Sequence, residues 1–380
     1  MIIVHIDFTG TYNEEMNYQE NLLPRANALH GNCVYFVTTC YRWNNGLEEK
    51  VAPERITLPD GVRLVRMPYT SFGLEALNKR FRAVSGLYTL MQQIHPDVVF
   101  LHCVQTAAVY SIIKYVKKHP NVVFYADTHT DFHNSAHGLF SRYILHRLIY
   151  RKFSKDIQPH IKKLFYITPE CKDFIEKVYG FPSYKLEYLP LGGFLYDDEN
   201  YSKIRENVRR KYGFQNNDII LIHSGKMDIN KKSDELISCF IKHSKSNMKL
   251  VVAGVFDNNL EKIVMPLVGS VSNIIYTGWI SGNELGELFC ASDVYIQPGT
   301  QSASMQVAAC NRCALALYPY LSHKNLWKES AFYITNYEEL KTFFLTVSTS
   351  LVQSKRYESY NIAKKKLNYL ELAERIEKKS

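Results

Sequence analysis

No stretch of eighteen residues is apolar enough to cross a bilayer. Val98–Ile113 comes nearest, and His102 and Gln105 interrupt it. The opening MIIVHIDFTG has no basic region ahead of its short apolar run, so it does not read as a signal peptide. Together these absences give the expectation of a cytoplasmic protein. Also missing are a G-x-x-x-x-G-K-[ST] phosphate loop, a G-x-G-x-x-G dinucleotide turn, an H-E-x-x-H pair and a G-x-S-x-G elbow. There is no carboxylate-rich metal cluster, no low-complexity tract and no internal period. The eight cysteines are scattered, and a chain of this size needs no disulfide staples. Cys310 and Cys313 form a single C-x-x-C with no second ligand pair for zinc, so they read as small buried hydrophobes.

What is present fits two domains. The chain has 380 residues, and its apolar content of 46% is ample for packed cores. The net charge of +9 is unevenly spread. From Lys79 to Lys163 there are thirteen lysines and arginines against Asp97, Asp127, Asp131 and Asp156. Such a bias suits an anionic surface or a polyanionic partner. No aromatic–basic recognition motif accompanies it, so nucleic acid is not the expected partner.

Short apolar runs alternate with helical periodicity. Strands are expected at Ile2–Ile6, Val34–Thr38, Val62–Arg66, Val98–Leu101, Val122–Ala126, Leu164–Ile167 and Leu186–Leu189. Helices are expected at Glu14–His30, Leu74–Ile94, Thr106–Lys117, Gly138–Lys155 and Glu170–Tyr179. Pro190-Leu-Gly-Gly193 and the acidic Asp197-Asp-Glu199 break the pattern. The alternation then restarts with strands Ile219–His223, Lys249–Ala253, Ile274–Tyr276, Val294–Gln297 and Ala314–Leu317. The helices of this half are Tyr201–Tyr212, Lys232–His243 and Asn283–Cys290, and Glu338–Val352 and Lys355–Ile376 follow. Such alternation predicts parallel sheets wound on both faces, which bind ligands at the carboxyl ends of their strands. The expected division is residues 1–193, 194–355 and a helical tail over 356–380 that packs back on the first domain.

Four stretches stand where chemistry could sit. Ser292–Cys313 reads as strand, Pro298–Gly299–Thr300 turn, then a helix from about Ala303, a pattern that binds phosphate in some α/β proteins and nothing in others. Ser224-Gly-Lys-Met-Asp-Ile-Asn-Lys-Lys-Ser-Asp234 links a strand to a helix. Gly225 there permits close approach, and Lys226 and Lys232 either contact a diphosphate or are solvated. His129 lies beyond a strand end among threonines and aspartates, and either meets a substrate or is held by Asp127 or Asp131. Arg142–Lys155 mixes apolar and basic residues at helical spacing, as a helix on an anionic membrane does, or one facing a core with a charged outer side.

Taken together these stretches resemble the GT-B fold glycosyltransferases of the retaining family-four (group 1) type, in the branch acting on bacterial surface polysaccharides. Gly225-Lys226 followed by Lys231-Lys232 is similar to the family's G-R-x(4–5)-K-G, with lysine for arginine at 226. Tyr276-Thr-Gly-Trp-Ile280, the helix Asn283–Cys290 and Ala291-Ser-Asp293 resemble its "f-x-G", helix, "a-D-v" order. Pro298–Ala309 resembles P-G-T-H-S-x-x-W-E-Q-A, with Gln301 for histidine and Gln306 for the ribose-binding glutamate. Gly10 matches the family's glycine loop, His129 its sugar-side histidine, and Tyr18–Leu22 the start of its first helix.

The resemblance implies an α/β chain of two Rossmann-like, doubly wound parallel-sheet domains facing a cleft (GT-B), with C-terminal helices. It implies transfer of a hexosyl or N-acetylhexosaminyl group, with retention, from a nucleotide sugar. UDP-sugar is favoured over GDP-sugar, and no metal or other cofactor is implied. The acceptor would be a saccharide or lipid-linked saccharide in surface-polysaccharide synthesis (capsule, O-antigen or similar), with Arg142–Lys155 peripheral on the inner face of the membrane. His129 would be catalytic. Gly10, Gly225, Lys226, Lys232, Trp279, Ile280, Thr300, Gln301, Ser302, Ala303 and Gln306 would hold the donor. Two readings compete. One is a weakened sugar-binding or partner subunit, motivated by Gln301 and Gln306; the other is a nucleotide-sugar epimerase.

Overall fold

The computed structural model describes residues 1–44, 47–136 and 138–377. The chain forms two compact units. Met1–Glu14, Tyr18–Pro190 and the chain from Tyr369 onward make the first; Glu15–Asn17 and Leu191–Asn368 make the second.

The first unit is built on an eight-stranded sheet. Its order is Leu186–Tyr188, Lys163–Tyr166, Val123–Thr128, Val98–Leu101, Ile2–Asp7, Cys33–Thr39, Arg63–Met67 and Arg55–Thr57. All neighbours pair in parallel except the last strand, which is antiparallel at the edge. The runs IIVHID and VVFL are buried almost throughout, as strands covered on both faces must be. Successive strands run outward from Ile2–Asp7 in one direction and then in the other. That reversal puts a topological switch point between the carboxyl ends of Ile2–Asp7 and Val98–Leu101. The final helix, Tyr369–Glu377, packs on the helix Gln19–Leu29, where Asn27 Nδ2 donates to Glu377 at 2.5 Å.

The second unit has a six-stranded, wholly parallel sheet. Its order is Ile274–Gly278, Met248–Phe256, Ile219–Met227, Val294–Gln297, Ala314–Leu317 and Ala331–Tyr333. Here the switch point falls between Ile219–Met227 and Val294–Gln297, where Leu221 pairs with Val294 and Ile222 with Tyr295. Both sheets are doubly wound, as the alternation predicts.

Several local expectations change. Leu74–Ile94 is two helices, Glu75–Phe81 and Leu87–Ile94, because Arg82 (φ 51°) and Gly86 (φ 84°) take left-handed backbone between them. The long C-terminal helices break at Val347 and Leu367: Tyr337–Thr346, Thr349–Lys366 and Tyr369–Glu377. Ser348 starts the middle one by accepting the Leu351 amide. The strand expected to end at His223 runs on to Met227, so Gly225 and Lys226 belong to it. The hairpin Tyr41–Asn44 and Leu47–Lys50, the edge strands Arg55–Thr57 and Ala331–Tyr333 and the helix Asn258–Val268 were not foreseen; short polar strands carry little periodicity. Cys310 and Cys313 are buried free thiols.

Candidate functional site

In the second unit the two loops that leave the switch point touch. The Thr300 amide donates to the Asn230 carbonyl at 3.0 Å. A β-carbon on Gly299 would stand 2.2 Å from that carbonyl oxygen, so only glycine lets the loops close. Gly225 (φ 123°) pairs across the sheet with Gly254, whose missing side chain leaves room for the Gly225 carbonyl.

Two side chains reach Gly225. Position 225 would set a β-carbon 3.4 Å from Lys231 Nζ and 3.9 Å from Ser302 Oγ. Lys226, on the same strand, places Nζ 5.8 Å from the Trp279 ring centroid, within cation–π range. Burial lowers the Lys231 ammonium to about 8, against a partial pull upward from Asp228. The sequence pointed to Lys232 as the second basic residue, but Lys231 is the lysine that reaches the glycine. Lys232 instead takes left-handed backbone (φ 55°, ψ 36°) as the first half-turn of the helix Ser233–His243. Four residues separate Lys226 from Lys231, and position 232 takes the left-handed conformation that glycine adopts readily.

The second loop leads to the helix Ser304–Cys310, which has seven residues and no side-chain cap at Ala303. So short a helix offers little dipole, and the lysines are the main positive charge here. Gln301 donates through Nε2 to Ser322 Oγ at 3.0 Å. Gln306 is 7% exposed, and its Oε1 is buried with no hydrogen-bond partner. An orphaned acceptor of this kind costs about 1–3 kcal/mol and fits a ligand hydroxyl. Trp279 and Ile280 follow Gly278 and are half-buried.

In the first unit a chain of buried polar groups ends at His129. His5 Nε2 lies 3.0 Å from Asn27 Oδ1, and His5 Nδ1 lies 3.1 Å from His102 Nε2. His102 Nδ1 lies 3.0 Å from Asp127 Oδ2, and His129 Nε2 lies 3.4 Å from the same oxygen. The proton positions follow from the partners. Asn27 Oδ1 can only accept, so His5 Nε2 donates and His5 Nδ1 accepts. His102 therefore donates from both nitrogens and is an imidazolium. This agrees with burial and His102 holding His5 well below its ordinary value. It agrees equally with His102 being raised: burial opposes its charge, and Asp127 outweighs that. The same balance, burial against Asp127, lifts His129 to about 9, so it is cationic at neutral pH. The carboxyl of Asp127 is held below the usual range, its two histidines prevailing over burial. Asp131 serves instead as a turn acceptor for the amides of His133 and Asn134. Gly10 lies exposed in the loop after Ile2–Asp7, with only Asp7 Oδ2 at 4.0 Å from a would-be β-carbon. His5 and Asn27 were not singled out from the sequence, because a histidine inside an apolar strand carries no pattern.

Cys103 takes left-handed backbone (φ 60°) and donates its amide to Asp127 Oδ1 at 2.9 Å. Its Sγ, the Asp127 carboxylate and the His129 ring lie within 4.8 Å of one another, the one group of metal-ligating residues found among the described residues. The basic helix is wound as a π-helix over Phe140–Tyr150 and continues as Arg151–Ile157. His146, Tyr150, Phe153 and Ile157 face the core, while Phe140, Tyr143, Ile144 and Leu148 are exposed beside Arg142 and Arg147. Among the described residues no helix is long and apolar enough to cross a membrane.

No model of a known protein family matches the chain, and no curated protein matches it. Solved structures do. Sucrose-phosphate synthase from Thermosynechococcus elongatus aligns with a TM-score of 0.72 at 12% identity, over 99% of this chain and 97% of that one. HepE from Anabaena, solved in complex with UDP and glucose, aligns with a TM-score of 0.65 at 11% identity, over 99% and 98%. WaaG, a glycosyltransferase involved in lipopolysaccharide biosynthesis, aligns with a TM-score of 0.63 at 16% identity, over 98% of each chain. At these identities the likeness is one of fold. The chain shares the two-Rossmann-domain GT-B architecture over nearly its whole length.

Proposed function

We propose that the chain is a glycosyltransferase that takes a hexosyl or N-acetylhexosaminyl group from a nucleoside-diphosphate sugar, UDP in preference to GDP. The observation that carries this is the Lys231 ammonium beside Gly225 at the second unit's switch point, with Lys226 next along the same strand. The fold shared with HepE, solved with UDP, supports the choice of ligand.

In this reading Lys226 and Lys231 hold the diphosphate, which Gly225, Thr300, Ser302 and Ala303 let approach the backbone. Gln301 borders the same loop, and Lys232 starts the helix behind it. Gln306 Oε1 accepts from a ribose hydroxyl, and the backbone at Trp279 and Ile280 reads the base. Gly10 leaves room for phosphate in the first unit. The acceptor hydroxyl oxygen bonds to the anomeric carbon with retention, the bond from that carbon to the diphosphate breaks, and the hydroxyl proton leaves with the diphosphate. Two lysines in a partly desolvated site stabilise the charge that develops on the leaving group, which makes a metal unnecessary. His129, as an imidazolium, donates to the transferred sugar. The acceptor is a saccharide or lipid-linked saccharide of a surface polysaccharide. The exposed apolar and basic residues of Arg142–Lys155 rest on an anionic membrane surface.

The test is release of nucleoside diphosphate from UDP-, GDP- and dTDP-sugars, with and without chelator. Slow release from a UDP-sugar that survives the chelator supports the proposal. A chelator-sensitive rate would move the chemistry toward Cys103, Asp127 and His129. One observation favours a second reading, a weakened sugar-binding subunit: Gln306 offers the ribose no charge. Binding of UDP without any release would select it.

A further inference from the structure

The first unit holds a cavity of about 420 Å³ that opens beside His129, in the size range of small-molecule sites. Its wall includes Lys79, Arg80, Arg82, Gln105 and Thr130, and among the described residues no aspartate or glutamate lines it. Lys79 is already neutralised by Glu48 and Glu75. The two arginines are not: among the described residues neither has a carboxylate partner. Arg82 is aimed by backbone carbonyls, Nε donating to Lys79 at 3.1 Å and Nη1 to Gln105 at 3.0 Å. Arg80 is exposed, its guanidinium 5.1 Å from the Phe140 ring centroid. The cavity therefore presents two guanidinium groups that no carboxylate among the described residues neutralises. The guanidinium fork matches the oxygens of a phosphoryl group.

We infer that this cavity binds the phosphoryl group of an anionic acceptor, with Arg80 and Arg82 as its contacts. The inference rests on the glycosyltransferase reading only in calling that ligand the acceptor. The phosphoryl group could belong to a soluble phosphorylated sugar or to a polyprenyl phosphate carrier; both present the same chemistry to the arginines.

The experiment titrates the full chain, saturated with UDP, with inorganic pyrophosphate in a calorimeter. In parallel it measures co-sedimentation with phosphatidylcholine vesicles with and without polyprenyl phosphate. Pyrophosphate should bind, and Arg80→Ala should weaken it by about ten- to a hundredfold. Arg82→Gln should do the same, and Arg82→Lys should restore part of the loss, while UDP affinity stays unchanged in all three. Sedimentation only with polyprenyl phosphate identifies a lipid-borne acceptor. Pyrophosphate binding without that preference identifies a soluble one. The inference is overturned if neither probe binds, or if binding ignores both arginine substitutions. Should UDP fail to bind while pyrophosphate binding still tracks the arginines, the transferase reading falls and the anion site stands.

Discussion

Lys231 brings its ammonium to Gly225: a β-carbon on that glycine would lie 3.4 Å from Nζ. Burial costs the free protein something here, since it lowers the lysine to about 8. The sign is definite. A lysine lowered from its ordinary value destabilises the fold fully below pH 8, and the penalty fades as pH rises toward the unfolded value. Lys231→Met should therefore raise the stability of the free protein by about 2 kcal/mol at neutral pH. It should also abolish UDP binding. Urea unfolding with and without UDP reads both effects. In the wild type UDP affinity should decline above pH 8, and binding there should take up a proton.

Lys232 gives the opposite pattern. Its left-handed backbone strains a lysine and suits glycine. Lys232→Gly should stabilise the chain by about 1 kcal/mol and leave UDP binding in place. Loss of UDP binding in this variant would return the diphosphate contact to position 232.

His129 should set an upper pH limit. Its folded-state value, raised to about 9, gives stability that is fully present below the ordinary histidine value and lost as pH rises through 9. If the imidazolium donates to the sugar, kcat should fall above pH 9. Asp127→Asn removes the charge that holds the proton, so that fall should move to lower pH. NMR titration of the ring checks the same shift without catalysis.

Gln306, whose Oε1 is buried without a partner, is the proposed ribose contact. Gln306→Glu gives the ribose a charge-assisted partner and should tighten UDP by about tenfold. In the free protein the new carboxylate is buried and unpartnered, so the same variant should lower stability in the absence of UDP. Gln306→Leu should weaken UDP while leaving the free protein as stable or more so.

Most of the architecture was legible because parallel strands buried on both faces read as short apolar runs. Val98–Leu101, Val294–Gln297 and Ala314–Leu317 are found where the runs place them. The loops at the second switch point were legible for the same reason, since each follows such a strand. What escaped was decided by backbone conformation and by contacts distant in sequence. The left-handed turn at Lys232, and with it the approach of Lys231 to Gly225, is signalled by no composition. The clash that a side chain at Gly299 would make with Asn230 depends on a loop some seventy residues earlier. The polar chain from Asn27 through His5 and His102 to Asp127 joins a helix, two strands and the residue just past a third, which only the folded sheet brings together.

UDP binding to the wild type, Lys226→Ala and Lys231→Ala, measured by thermal shift and calorimetry on the full chain, tests the central claim most directly. The account predicts a clear shift with UDP, about 2.7 kcal/mol of stabilisation at a hundredfold excess over Kd. It predicts that each lysine variant loses that shift while remaining folded. A wild-type protein indifferent to UDP, GDP and dTDP, or lysine variants that bind UDP as tightly as the parent, would contradict it.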